Sequence, residues 1–175
     1  MAQGLTAGAA RANAAALRFA LNSSAELRYR PIVGGRCPGY PAGMKELFQH
    51  SAMTNGITVR VAVNFLPEQS RIDAGNWFWV YHIRIENGTD QTVQLLTRHW
   101  RITDGRGLVN LVEGEGVVGE QPILAPGQSH DYVSGCPLTT PMGSMEGHYV
   151  FRSAEGGQFE VAIPFFPLAA PATAG

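Results

Sequence analysis

From Ile57 onward, apolar and polar residues alternate with a period of two. Ile57, Val59, Val61, Val63 and Phe65 are interleaved with Thr58, Arg60, Ala62 and Asn64, which predicts a strand with one buried face. A polar loop from Pro67 to Asn76 leads to a second strand, Trp77 to Glu86, with Trp77, Trp79, Tyr81, Ile83 and Ile85 on one side. On its other side Phe78 and Val80 give way to His82, Arg84 and Glu86. A strand apolar on both faces at one end is expected to be central in its sheet. Asn87-Gly88 marks a turn, and Thr92 to Thr103 returns as the third strand. Asp104-Gly105-Arg106-Gly107 turns again into a fourth strand, Leu108 to Val112.

Three more strands are expected at Ser129–Ser134, Gly147–Ser153 and Gln158–Ile163, the last two joined through Gly156-Gly157. Pro164 and Pro167 are expected to stop the sheet. About seven short strands separated by turn signals predict an all-β protein, a two-sheet β-sandwich of immunoglobulin or fibronectin type III-like kind. The low charge, 15%, and the many turn formers, Gly 21 and Pro 11, agree with that class.

Composition divides the chain. Residues 1–43 carry Arg11, Arg18, Arg28, Arg30 and Arg36 against Glu26 alone, so the rest of the chain is net acidic within a total charge of -1. Residues 1–43 are expected to be a disordered or non-native extension and linker, 44–168 the sandwich, and 169–175 a frayed tail. The alanine-rich start, with a short amphipathic helix over Ala14–Leu21, is open to three readings: a transit segment, a disordered tail, or translation from a start upstream of Met44. The last two are preferred. An acidic body whose one lysine is Lys45 does not suit a phosphate backbone, so no nucleic-acid partner is expected. No apolar run is long enough to span a bilayer, so no membrane insertion is expected either. Cys37 and Cys136 stand far apart, one in the linker, and two free thiols suit a reducing, cytoplasmic setting.

Val112 to Pro122 holds a formal G-x-G-x-x-G at Gly114, Gly116 and Gly119. That spacing binds pyrophosphate when a helix opens within it and its amides face the phosphates. Gln121-Pro122 follows at once and Ala125-Pro126-Gly127 soon after, so no helix can run on. Glu113, Glu115 and Glu120 add carboxylates where a phosphate needs donors. The expectation is a glycine-bent connection between strands with a small sheltered surface beside it. Arg98 and Trp100 project to one side of the third strand, with His99 opposite, and Arg98 is open to two readings of equal weight: a hold on Asp104 or a glutamate of the glycine stretch, or a ligand-reading role. The candidate binding set is therefore Gly114, Gly116, Gly119, Glu120, Arg98, Trp100 and Asp104.

Other chemistry finds little support. His82, His99, His130 and His148 form no H-x-H or H-x-x-x-H pair, and no cysteine cluster accompanies them, so no metal ligand is assigned. Ser134-Gly135-Cys136 lacks a nucleophile-elbow context. Trp77, Trp79 and Trp100 at strand periodicity read as core rather than as a base-stacking platform. No catalytic residue and no cofactor is expected.

Leu95-Leu96-Thr97-Arg98-His99-Trp100, Ile102-Thr103-Asp104 and Gly114 to Pro122 resemble the signature of the ApaG family. Tyr132-Val133-Ser134-Gly135, Thr140 to Tyr149 and Phe159 to Pro164 extend the likeness, which covers about residues 55–166 in unbroken order. The resemblance implies a fibronectin type III-like sandwich, found alone in bacteria and attached in eukaryotes to an F-box protein and to a polymerase-delta-interacting protein. It also implies an association with cobalt resistance and magnesium efflux, and no established catalytic activity. The function expected is a non-catalytic module that binds a protein partner. The alternatives are direct binding of magnesium or cobalt, and binding or hydrolysis of a dinucleotide polyphosphate through Gly114, Gly116 and Gly119.

Overall fold

The computed structural model describes residues 48–172. The helix over 14–21, the linker, Cys37 and the start at Met44 lie outside the described residues. Nine strands follow in order: β1 His50–Thr54, β2 Ile57–Phe65, β3 Trp77–Asn87, β4 Val93–Asp104, β5 Val109–Glu115, β6 Ile123–Leu124, β7 Ser129–Leu138, β8 Met142–Ser153 and β9 Gln158–Ala169. They form two antiparallel sheets, β1-β2-β3-β7 and β5-β4-β8-β9, with β6 beside the start of β4. The sandwich expectation holds, with nine strands rather than seven. β3 is central, between β2 and β7.

The differences have physical causes. β1 shows little apolar alternation, yet Asn55-Gly56 folds it onto β2, both residues having positive φ (50° and 79°), as a primed hairpin turn requires. β6 is too short to carry a periodic pattern. Pro164 and Pro167 do not stop the sheet: β9 continues through both to Ala169. Among the described residues β9 is an edge strand, laddered to β8 alone, and an edge tolerates proline because one row of its amides has no strand partner. The same holds for Pro137 in β7, the edge strand of the other sheet, which runs past Ser134 to Leu138. Prolines on both of these edges also hinder pairing with a foreign strand.

The inner faces meet in one core. Trp79, Tyr149, Phe151 and Phe166 are almost wholly buried, each worth about 2–3 kcal/mol of transfer free energy. Trp100 packs against Tyr81 and edge-on to Phe166, with ring centroids 5.6 and 6.1 Å apart. Gly147 brings β4 and β8 unusually close, since a Cβ there would collide with the carbonyl oxygen of His99.

On the outer face of the first sheet, Asp131 accepts hydrogen bonds from His82 (2.7 Å) and from Arg84 Nε (3.0 Å). Burial alone would raise the Asp131 pKa, but the hydrogen bonds and charges of His82 and Arg84 bring it below its ordinary 3.8. A depressed carboxylate stabilises the fold above the ordinary aspartate range, and that stabilisation is lost as pH falls through the folded pKa. Asp131→Asn is expected to cost about 1–2 kcal/mol near neutral pH. The difference from wild type should shrink below about pH 4, read from urea midpoints at a series of pH values. A difference independent of pH would show that the carboxylate charge contributes nothing.

Candidate functional site

The glycine segment is shaped by an irregularity in β4. Leu95 pairs with Phe151 and Thr97 with Val150, so Leu96 is one residue too many, a β-bulge. The bulge changes which side chains face inward. Val93 and Leu95 are buried before it, and Trp100, Ile102 and Asp104 after it. Arg98 therefore comes to the inner side of β4, while His99 and Arg101 face out.

Arg98 holds neither Asp104 nor a glutamate of the glycine stretch, which removes the ion-pair reading. Its Nη1 donates to the carbonyl oxygens of Glu115 and Gly116, both at 2.8 Å. The guanidinium lies against Gly114, where a Cβ would stand 3.1 Å from Nη2, tighter than ordinary packing. Gly116 has φ 57°, and a side chain there would strike the carbonyl oxygen of Glu120. Both glycines are thus required by close approach within the protein. The bulge completes the clasp: the carbonyl of Leu96 accepts from Gly116 N–H and from Gln121 Nε2, each at 2.8 Å.

No helix follows the third glycine. Val117 N–H donates to the Glu120 carbonyl (2.8 Å) and Glu120 N–H to the Val117 carbonyl (3.0 Å), closing a tight turn. Its central residues, Val118 and Gly119, have φ 49° and 80°, the signs of a type I′ turn. The amides of Gly116, Val117 and Glu120 are all spent inside the protein, so the segment does not present the row of free N–H groups that cradles a phosphate.

Val118 is the residue that sequence reasoning missed. A β-branched side chain at positive φ is a backbone outlier, and this one is 62% exposed while its neighbour Val117 is buried in the core. Nothing in Gly116-Val117-Val118-Gly119 foretells which valine is inserted and which is displayed. Ile123, at the start of β6, is also exposed.

The other expected site residues disperse. Glu120 is exposed beside the turn, and its charge acts on His130 of β7, whose pKa burial lowers against the raising influence of Glu120 and Asp131. Trp100 is core. Asp104 lies at the opposite end of β4, where its Oδ1 accepts from the amides of Arg106 (2.9 Å) and Leu108 (2.8 Å), fixing the β4–β5 turn.

Under the clasp sits a buried tyrosine cluster, with the Tyr132 and Tyr149 hydroxyls hydrogen-bonded to each other. Desolvation raises the pKa of Tyr81 to about 12 and those of Tyr132 and Tyr149 as well, with the Arg98 charge opposing the rise in all three. Burial likewise pushes the Cys136 thiol up to about 12, which leaves little thiolate for nucleophilic chemistry at neutral pH.

Two substitutions separate the structural from the displayed part of this segment. Gly116→Ala is expected to destabilise the domain by about 2–4 kcal/mol. Val118→Gly is expected to stabilise it by about 0.5–1 kcal/mol, because relief of left-handed strain outweighs the added freedom of the unfolded chain. Urea denaturation midpoints at unchanged m-value measure both. A lower midpoint for Val118→Gly would mean that the valine side chain holds the turn rather than straining it.

Comparison with known proteins gives the family. The model of the ApaG domain matches residues 67–153. Protein ApaG of Bradyrhizobium sp. (strain BTAi1 / ATCC BAA-1182) is 52% identical over 122 residues, spanning 70% of this chain and 93% of that protein. Protein ApaG of Beijerinckia indica subsp. indica is 48% identical over 122 residues, covering 70% of this chain and 94% of the relative. Among solved structures, that of the putative ApaA protein from Bordetella pertussis aligns with a TM-score of 0.64 at 46% identity, over 66% of this chain and 94% of that one. This chain belongs to the ApaG family.

Proposed function

We propose that the domain is a non-catalytic binding module that docks a protein partner through the turn Val117–Glu120. The observation that carries this reading is Val118, an exposed β-branched side chain held at positive φ on a turn whose base is clasped by Arg98. Strained residues persist where the surroundings over-determine them, and they concentrate at recognition sites. A rigid turn presenting one apolar side chain loses little entropy on docking.

In this reading the expected site is redrawn. Gly114, Gly116 and Arg98 build the support, while Val118, Gly119, Glu120 and Ile123 make the contact. Glu115 and Glu120 place carboxylates around the apolar tip, and both are exposed. The partner that fits is a protein surface with a small apolar pocket rimmed by Lys or Arg. A cytoplasmic setting suits Cys136, a free thiol buried in the core. Among the described residues no helix is long and apolar enough to cross a membrane.

A dinucleotide polyphosphate is a poorer fit, because the segment's amides are internally bonded. The cobalt and magnesium association implied by the family resemblance is compatible with a partner that handles ions, the module itself acting as adaptor.

Affinity capture from native cells tests the proposal, using the full chain, Val118→Gly and Glu120→Arg. A partner is expected with wild type and should be lost or weakened at least about tenfold with either variant, in line with removal of an interface anchor. Raising salt should slow its association. Capture of the same proteins by all three chains, or of none dependent on the turn, would overturn it.

A further inference from the structure

Among the described residues the two sheets end in four edge strands, β1 and β7 in one and β5 and β9 in the other. β1 lies against β9, where Ala162 N–H donates to Thr54 Oγ1 (3.1 Å), and the two close one side of the sandwich. β7 carries Pro137, a barrier to a further strand. β5, Val109–Glu115, has none of these protections. It contains no proline, lysine or arginine, and its ladder with β4 runs without a bulge. Proteins normally blunt an edge of this length with such devices.

The phase of the ladder decides what this edge offers. Just beyond its two ends, Asp104 N–H donates to the Leu108 carbonyl and Gly116 N–H to the Leu96 carbonyl. Bonded positions alternate along an antiparallel pair, so Asn110, Val112 and Gly114 turn their backbone groups to β4. Val109, Leu111 and Glu113 turn theirs outward, where no strand of the described residues pairs with them. The side chains of these three and of Glu115 are exposed, Leu111 to 70%. A row of outward donors and acceptors is matched by another strand. The two halves of this row differ: Val109 to Val112 is uncharged and follows the exposed Arg106, whereas Glu113 and Glu115 make the other half acidic.

We propose that β5 pairs antiparallel with β5 of a second copy of this chain, about a two-fold axis at Leu111. Leu111 then meets Leu111, and Val109 meets Glu113 of the second copy. These are the outward-facing residues, so each pair exchanges both of its backbone hydrogen bonds. Glu115 falls opposite Gly107 and beside Arg106 of the second copy, which sets each acidic end against a basic one. Moving the axis to Glu113 would instead put carboxylate against carboxylate, an unfavourable cross-strand pair, and Leu111 against Glu115. The two leucines cover each other on the outer face of a sheet that runs from β9 of one copy to β9 of the other. The pairing consumes the edge in both copies and closes at two. One strand pair is a small interface, so the dimer is weak, with a Kd of about 10–100 µM.

Sedimentation velocity of the full chain from about 5 to 500 µM, bracketing that Kd, tests the proposal. The mass should rise from monomer to dimer, with no larger species. Amide exchange should slow with concentration at Val109, Leu111 and Glu113 and stay unchanged at Asn110 and Val112, which are bonded to β4 throughout. Leu111→Pro removes an outward amide and leaves the β4 ladder whole, and Leu111→Lys brings two like charges together. Each should weaken dimerisation at least about tenfold, with far-UV circular dichroism unchanged. Arg106→Glu should weaken it too, and adding Glu115→Arg to that variant should restore it. A monomer throughout the range would overturn the proposal. So would a dimer that survives both Leu111 variants or protects a different strand, or a charge swap that restores nothing. Capture of a partner by the Val118 turn is a separate measurement, so either reading can fail alone.

Discussion

The structure around the glycine segment depends on a charged group serving neutral acceptors. Arg98 is brought to the inner side of β4 by the bulge at Leu96, lies against Gly114, and donates to two carbonyl oxygens at the end of β5. Those carbonyls belong to a chain that is leaving its ladder, where backbone groups otherwise go unpaired. A hydrogen bond from a cation to each is stronger than a neutral one. The bulge carbonyl of Leu96 supplies the complementary acceptor for Gly116 and Gln121. One extra residue in β4 thereby fixes both ends of the turn. Gly114, Gly116 and Gly119 read as a motif because three local demands coincide: guanidinium contact, backbone contact and positive φ.

Much of the fold was legible in the sequence because a half-buried sheet writes its faces in alternation. β2, β3 and the half of β4 from Trp100 to Asp104 follow that rule. The hidden parts obey different rules. β1 relies on Asn55-Gly56, a two-residue signal that outweighs its weak pattern. β9 keeps its prolines because it is an edge, and whether a strand is an edge is a property of sheet order rather than of local sequence. The candidate site was legible in location but not in role. A carboxylate partner was one reading of Arg98, since opposite charges are the partners a sequence displays, whereas carbonyl groups are present at every residue and give no signal. Asp104 resembled a site member by nearness in sequence, yet β4 carries it to the far end, where it caps a turn.

The Val118 turn projects from a sheet end, and its rigidity comes from bonds made behind it. On the outer face of the second sheet the imidazoles of His99 in β4 and His148 in β8 stack with centroids 4.5 Å apart, ordered by cross-strand register and the close approach at Gly147. The core beneath is inert, with the Cys136 thiol and the tyrosine hydroxyls kept protonated by burial.

The central claim is that the amides of the glycine segment are committed within the protein, leaving only the turn tip for recognition. Residue-resolved amide hydrogen exchange measures this directly, because protection reports which N–H groups are bonded and how rarely they open. Slow exchange is expected at Gly116, Val117 and Glu120 and fast exchange at Val118 and Gly119, with the protection of Gly116 lost in Arg98→Ala. Fast exchange at Gly116 and Val117 in the wild-type chain would contradict the account, because those amides would then be free to meet an anion.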